Sequence, residues 1–157
     1  MSSLFHSKLF EPTPSHSFIA SFIFRGIPST LDVGFQKISG LSRELTVSPY
    51  SEGGENLRNN YLAGKVNHGS LVLERGVMTV TPLTSIFENI MRGGELIYAD
   101  VIILLLGENS LPVASWTLSN ALPIRWSTGD FDAMTSKILI NRLELRYQEM
   151  FWLGVKA

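Results

Sequence analysis

The sequence contains no cysteine among its 157 residues. This excludes a disulfide framework and any zinc site built from cysteine. Charge is also scarce, because only 17% of the residues are charged, against roughly 25% in ordinary soluble chains. The 13 basic and 14 acidic residues nearly cancel, to a net charge of -1. Nothing in that balance attracts nucleic acid or an acidic membrane, and we expect no sequence-specific nucleic-acid binding.

Long hydrophobic runs are missing as well. The longest covers residues 101–106 and ends at Gly107, whereas a helix that crosses a bilayer needs ~20 apolar residues. The run therefore predicts a buried strand. No long apolar stretch precedes Glu11 and Pro12, so the N-terminus does not match a signal peptide. We expect a chain without a membrane anchor.

The polar groups that catalysis requires are sparse. His6, His16 and His68 lie far apart in the sequence, so they do not form a cluster of metal ligands. Neither the nucleophile motif G-x-S-x-G nor the phosphate-binding motif G-x-x-x-x-G-K-S/T occurs. Asp130 and Asp132 are interpreted as solvated residues of a turn. The sequence predicts no catalytic residue, no metal site, no cofactor and no enzymatic activity.

Hydrophobic residues make up 45% of the chain, which is high beside so few charges. A single domain of this length buries about 70% of its unfolded surface, so a large core is one explanation. The other is an obligate oligomer, in which much of the outer surface is interface. Composition does not separate the two.

Apolar and β-branched residues predict strands through most of the chain. We expect strands at residues 18–25, 35–47, 66–75, 95–106, 111–126 and 136–147, with a break at Pro123. The last strand alternates, with Leu139, Asn141, Leu143, Leu145 and Tyr147 on one face. Residues 48–64 are polar and glycine-rich and predict a long loop. Residues 81–94 predict one helix, capped by Thr81 or by Ser85.

Three segments are expected: a flexible N-terminal arm at residues 1–17, a β domain at 18–150 and a C-terminal tail at 151–157. Pro12 and Pro14 prevent regular strand pairing in the first segment. The tail begins with the apolar residues Phe151, Trp152 and Leu153. It either packs on a neighbouring subunit or folds back on its own core.

Four short motifs follow one another in order. They read S-G-L at residues 39–41, E-G-G at 52–54, L-x-L-x-R-G at 71–76 and W-x-L-x-N-A-x-P-x-x-W at 116–126. Together with the ending L-E-L-R-Y at 143–147, this series resembles phage-type tail tube proteins of contractile tails and extracellular contractile injection systems. The motif residues to which the resemblance assigns a structural role are Gly40, Leu41, Arg75, Gly76, Trp116, Asn120, Pro123 and Trp126.

The resemblance implies an all-β fold, a small β-barrel or sandwich like the type VI ring protein, with one short helix. It implies homo-hexameric rings that stack into a hollow conduit for effector protein or DNA. The loop residues Glu52, Gly53, Gly54, Glu55 and Asn56 would contact the adjacent ring. Further expected partners are the outer sheath and the spike, hub and baseplate proteins. The resemblance leaves open whether the chain is the main tube subunit or forms the tube-initiating ring.

The same resemblance implies assembly in the bacterial cytoplasm, within a phage tail or a particle that is released from the cell. Two alternatives stay open at this stage. One is a secreted, type VI-like ring protein, and the other is a monomeric β-sandwich that binds a small ligand. What favours assembly is that a small sheet leaves open edges, which sister copies can complete.

Overall fold

The computed structural model describes residues 17–29, 35–54, 56–76, 81–134 and 140–154. These residues form ten strands and one helix. The elements in chain order are β1 (Ser17–Phe24), β2 (Ile27–Ser29), β3 (Lys37–Ser39), β4 (Arg43–Tyr50), β5 (Asn60–His68), β6 (Leu71–Arg75), α1 (Pro82–Met91), β7 (Ala99–Leu106), β8 (Pro112–Thr128), β9 (Asn141–Arg146) and β10 (Glu149–Gly154).

Two antiparallel layers share the long strand β8. The first layer has the order β2-β1-β7-β8-β10, and the second has the order β8-β9-β6-β3. Apolar side chains of both layers meet in one core, whose largest fully buried members include Phe22, Leu71, Leu118, Leu143 and the helix residue Phe87. The fold is a β-sandwich with one short helix, as predicted, and its sheets do not close into a barrel.

Strand β8 serves both layers because its backbone turns a corner near the middle. Asn120 has a positive φ of 49°, and its backbone N–H donates to the carboxylate of Asp100 at 3.1 Å. The register with β9 then shifts between Pro123 and Arg125. The predicted break at Pro123 is therefore a bulge inside one continuous strand of 17 residues, which bends the chain from one layer into the other.

The alternating pattern of the last predicted strand is confirmed for residues 141–147. Asn141, Leu143 and Leu145 are buried, while Arg142 and Arg146 are exposed. Leu139 and the rest of residues 135–139 lie outside the described part of the chain. One alternate face thus packs on the core and the other stays wet, as a period of two requires.

The predicted helix begins where Thr81 caps it. The backbone N–H of Thr84 donates to the Thr81 hydroxyl, and the Thr84 hydroxyl oxygen accepts from the Thr81 backbone N–H at 2.8 Å, so the two threonines form a reciprocal cap. The alternative cap at Ser85 is wrong. Leu83 and Phe87 face the core, and the Phe87 ring meets Trp126 edge-on at 5.6 Å. The helix ends at Met91, two residues before the predicted Gly93.

Three expectations about the first half of the chain are wrong. The strand expected at 35–47 is two strands, β3 and β4, which belong to different sheets. The strand expected at 66–75 is likewise divided into β5 and β6. The long loop expected at 48–64 is mostly strand, because β4 and β5 pair along their length and leave only residues 51–59 to connect them. We call residues 43–68 the hairpin.

The break between β3 and β4 depends on Gly40. Its φ is +86°, and a Cβ there would lie 1.7 Å from the carbonyl oxygen of Ser70. We expect Gly40→Ala to lower the free energy of unfolding by about 2–4 kcal/mol, because backbone strain and a steric clash act together. This corresponds to a fall in Tm of roughly 5–15 °C, measurable by thermal denaturation.

The matched control is Gly53→Ala in the loop of the hairpin. Nothing lies within 4 Å of a Cβ added at Gly53, so this substitution should change Tm by less than about 2 °C. Equal losses from the two substitutions would show that the close approach at Gly40 does not matter to stability.

Candidate assembly surfaces

The hairpin is a two-stranded sheet that is separate from the two layers. Its strands pair only with each other among the described residues, and every residue of β4 is exposed. The register shift between Leu45 and Val47 leaves Gly64 and Lys65 opposite the single residue Thr46, so β5 carries the extra residue of a bulge. A lone two-stranded sheet is at best marginally stable in water.

One face of this hairpin is apolar and the other is mainly polar. The cross-strand pairs put six apolar side chains on the same face, namely Leu45, Val47, Pro49, Tyr61, Ala63 and Val66. All are exposed, from 45% for Val66 to 60% for Tyr61 among the large ones. This alternation is what a sheet shows when one side rests on a core. Within the described residues, nothing covers that side.

The residues predicted to contact an adjacent ring lie at the tip of the hairpin. Glu52, Gly53, Gly54 and Asn56 are all exposed, and Glu55 lies outside the described residues. Gly54 has a φ of +97°, which explains a glycine at this turn. The Tyr50 hydroxyl donates to the Glu52 carboxylate at 3.0 Å. The position suits a contact at a distance from the sandwich, and the contact itself stays a prediction.

The base of the hairpin is held by a buried tyrosine. The Tyr147 hydroxyl lies 3.1 Å from the carbonyl oxygen of Ser42 and 3.3 Å from that of Gly40. Its ring packs against His68, the last residue of β5, at 5.3 Å. Burial raises the pKa of Tyr147 above its usual 10, and the hydrogen bond to Ser42 offsets part of that rise. The hydroxyl therefore stays protonated, as a donor, at neutral pH.

Strand β10 forms an edge of the first layer. It pairs with β8 from Glu149 to Gly154 and with no other strand among the described residues. Phe151, Trp152 and Leu153 are 61%, 58% and 65% exposed. Residues 151–154 of the predicted tail thus belong to an added strand, yet Phe151, Trp152 and Leu153 remain outside the core.

A second edge lies on the opposite side of the same layer. Strand β2 pairs only with residues 22–24 of β1. Residues 17–21 of β1 pair with β7 on one side and, within the described residues, with nothing on the other. The first layer therefore ends in two different open strand edges of similar length.

The first layer also has a face on which no other strand or helix of the described residues packs. Strand register places on this face side chains that are mainly aliphatic or hydroxylic. Its members include Ile19, Ser21, Ile23, Asp100, Ile102, Leu104, Ser115, Thr117, Ser119, Glu149, Phe151 and Leu153. Among these twelve described side chains, the charged ones are the carboxylates of Asp100 and Glu149, and neither Lys nor Arg is present. The face combines low charge with partial exposure, which is unusual for a surface in free solution.

The other motif residues have structural surroundings. Leu41 and Trp116 pack against the core. Arg75 is buried, with its guanidinium 5.5 Å from the centre of the Phe35 ring. Gly76 directly follows β6. The predicted roles of these residues within the fold remain predictions.

No group of three or more His, Asp or Glu side chains in the described residues could hold a metal ion. Two hollows of about 360 and 330 Å³ lie along the hairpin, the first lined by Arg43, Glu44, Leu45, Val66 and His68. No helix in the described ranges is long and apolar enough to cross a membrane.

The family model for the T4-like virus tail tube protein gp19 matches residues 14–151. The chain belongs to this tail tube family. The tube protein is 57% identical to a chain in the six-fold symmetrised structure of the anti-feeding prophage baseplate, with a TM-score of 0.85. That match covers 94% of the tube protein and 99% of the other chain. The tube protein is thus a structural subunit of a contractile-system tube.

More distant structures share the fold. A chain in the sheath-tube complex of an extracellular contractile injection system is 22% identical over 96% of the tube protein and 97% of its own length, with a TM-score of 0.76. A chain in the anti-feeding prophage cap is 21% identical over 92% and 93%, with a TM-score of 0.75. A search of curated protein sequences finds no match.

Sequence reasoning found the hairpin tip and the apolar tail but missed three features. The apolar face of the hairpin was missed because Pro49, Tyr61 and Ala63 lie in the segment interpreted as a loop, although Leu45 and Val47 just before it were expected in a strand. The open edge of β1 depends on how little of it β2 covers. The part played by Tyr147 depends on two carbonyls more than 100 residues away in sequence, which no local pattern shows.

Proposed function

We propose that six copies of the tube protein form a ring at the baseplate end of a contractile injection system, where the ring initiates the inner tube. The observation that carries this proposal is the contrast in identity within one particle. The tube protein is 57% identical to a chain of the anti-feeding prophage baseplate and 21% identical to a chain of the cap. That contrast favours the tube-initiating ring over the main tube subunit.

The two open edges of the first layer supply the contact that closes the ring. One is β10, and the other is the uncovered part of β1 at residues 17–21. They differ from each other, so a copy presents β10 to the β1 edge of the next. Such a head-to-tail contact makes rings when the rotation closes. Paired edges would also satisfy backbone groups that otherwise invite aggregation.

The uncovered face of the first layer then lines the pore. The opposite face carries the second layer and α1, whose bulk fits only on the outside of a closed ring. Four strands from each of six copies, β1, β7, β8 and β10, give 24 strands. At ~4.8 Å per strand and a tilt of ~40°, the barrel backbone is about 48 Å across. Side chains leave an opening of about 35–40 Å, since each extends roughly 5 Å inward.

The pore wall suits a polypeptide better than nucleic acid. Its charged members among the twelve side chains above are Asp100 and Glu149, and both are acidic. Phosphate groups would meet like charge and find no Lys or Arg partner among these twelve side chains. Aliphatic and hydroxyl groups bind a protein cargo only weakly, which lets it pass. The cargo acts on its target elsewhere, and the tube protein itself performs no catalysis.

The hairpin reaches the neighbouring ring of the tube. Its apolar face has the alternation of a surface that rests on another protein, and its tip carries residues 52–54 and 56. The ring also meets the spike and hub at its other end and the sheath on its outside. Assembly takes place in the bacterial cytoplasm, before the particle leaves the cell.

Labelling of particles tests this placement. We expect purified tube protein to form rings of six times the monomer mass in light scattering, without long filaments in electron micrographs. A tagged copy in whole particles should bind gold label at the baseplate end alone. Label along the full tube would instead identify the main tube subunit, and a monomer at high concentration would refute the ring.

A further inference from the structure

We propose that Tyr147 is a positioning residue that couples the ring-closing strand β10 to the hairpin, so that closing a ring fixes the direction of the hairpin for stacking. The inference rests on the ring proposed above. Tyr147 lies between β9 and β10, and it touches both ends of the hairpin. No local sequence pattern assigns it such a part.

On the β4 side, the hydroxyl reaches the turn that starts the hairpin. It lies 3.1 Å from the Ser42 carbonyl oxygen and 3.3 Å from that of Gly40, and it donates to one at a time. The turn is tight, because the backbone N–H of Ser42 donates to the Gly40 carbonyl at 2.9 Å. On the β5 side, the Tyr147 ring packs against His68. One side chain therefore holds both strands where they leave the sandwich.

The two sides of the turn are packed without spare room. The backbone N–H of Gly69 donates to the Ser42 carbonyl at 2.9 Å. A Cβ at Gly69 would lie 2.4 Å from the Ser42 hydroxyl oxygen and 2.8 Å from the Gly40 carbonyl oxygen. The residues at the base of the hairpin therefore keep their positions relative to one another. Whatever moves Tyr147 moves both strands of the hairpin together.

Tyr147 is in turn fixed by the start of β10. The next residue, Gln148, donates its backbone N–H to the Ser119 carbonyl on β8 at 3.0 Å. Met150, three residues on, is buried with its sulfur 3.9 Å from the Tyr147 hydroxyl. The Arg43 guanidinium, at the first position of the hairpin, reaches the Met150 carbonyl at 3.4 Å. Edge strand and hairpin thus share one small cluster of contacts.

The consequence is a sequence of assembly events. In a free copy β10 is an edge strand, and edge strands open locally at low cost. When the next copy pairs with β10, Gln148 and Met150 are held in place, and the Tyr147 hydrogen bond to the turn becomes persistent. The hairpin is then pre-organised for the adjacent ring, which lowers the entropy lost on stacking.

Hydrogen exchange measured by mass spectrometry tests the coupling on the full chain. The comparison is between rings and the Trp152→Asp chain, which we expect to remain monomeric. In rings of the unchanged protein, hairpin amides should exchange at least about tenfold more slowly than in that monomer. In rings of Tyr147→Phe, the slowing should fall below about threefold, while peptides from β6 and β9 keep their protection.

Tyr98→Phe is the matched control, because Tyr98 is 45% exposed and lies outside the cluster. Arg43→Gln is a second variant that loosens the base without touching the core, and it should reduce the slowing partially. Full hairpin protection in Tyr147→Phe rings would overturn the coupling alone, since direct contact with a neighbour would then explain it. Absence of rings in the unchanged protein would overturn the proposed function, and the coupling with it.

Discussion

Replacing Trp152 by aspartate is expected to convert rings of the tube protein into folded monomers. Trp152 is 58% exposed on the outermost strand of the first layer, and its cross-strand partner is Trp116. In the proposed ring, β10 lies beside the β1 edge of the next copy. The β1 side chains on the same face as Trp152 are Phe18 and Ala20. A large aromatic side chain at such a junction is typical of the few residues that dominate an interface.

The expected loss is large because two effects add. Removing the indole forfeits about 2–3 kcal/mol of apolar burial, and an unpaired carboxylate placed there costs several more. A loss of ~4 kcal/mol for each contact weakens it about 1,000-fold, and the proposed ring of six copies has six such contacts. Light scattering measures the mass. The monomer should remain folded, because in the free copy this side chain is mostly exposed.

Leu111→Asp is the control for this result. Leu111 is 63% exposed in the connection between β7 and β8, and it belongs to neither β1 nor β10. Leu111→Asp adds the same charge as Trp152→Asp at a similarly exposed apolar position, and rings should persist. If Trp152→Asp still forms rings of the full mass, β10 does not close them. If Leu111→Asp breaks them as well, the effect is one of added charge.

The fold was predictable where the signal is local. Alternation in residues 141–147 identified β9 and its buried face, and Thr81 before Pro82 was one of the two predicted helix caps and is the one that the structure has. These features depend on residues within one turn or one strand, so the sequence displays them directly. The motif around Asn120 and Pro123 was recognised without its reason, which is the corner that lets β8 serve both layers.

The assembly surfaces were harder to predict, because a strand edge or face is available for assembly only where the rest of the fold leaves it uncovered. Residues 48–64 were interpreted as a loop on their polar and glycine-rich composition, yet much of this segment is strand. The mistake has a physical origin: the hairpin has no core of its own, so its strands carry more polar residues than a strand inside a sandwich. Composition alone does not distinguish such a hairpin from a loop.

The hairpin itself leads to the second large effect, which is a loss of stacking without a loss of rings. Val47→Asp places a charge on the apolar face of the hairpin, where Val47 is 51% exposed and opposite Ala63. If this face rests on the next ring, each hairpin should lose about 2 kcal/mol or more, from lost burial and from a desolvated carboxylate. This lowers the affinity of one hairpin for the next ring roughly 30-fold, and the free-energy losses of the six hairpins in the proposed ring add. Incorporation of the variant into purified particles, measured by mass spectrometry, should fall below detection.

Ser48→Asp is the control that separates an effect of charge on the apolar face from an effect of charge anywhere on β4. Ser48 is the next residue of β4, is also exposed, and points to the opposite, mainly polar face. The same charge one residue away should therefore leave incorporation near its normal level. Both variants should form rings of the usual mass, because neither position lies on β1 or β10. Monomers from Val47→Asp would instead place the hairpin between copies of one ring, and equal incorporation of the two variants would show that the apolar face meets no partner at all.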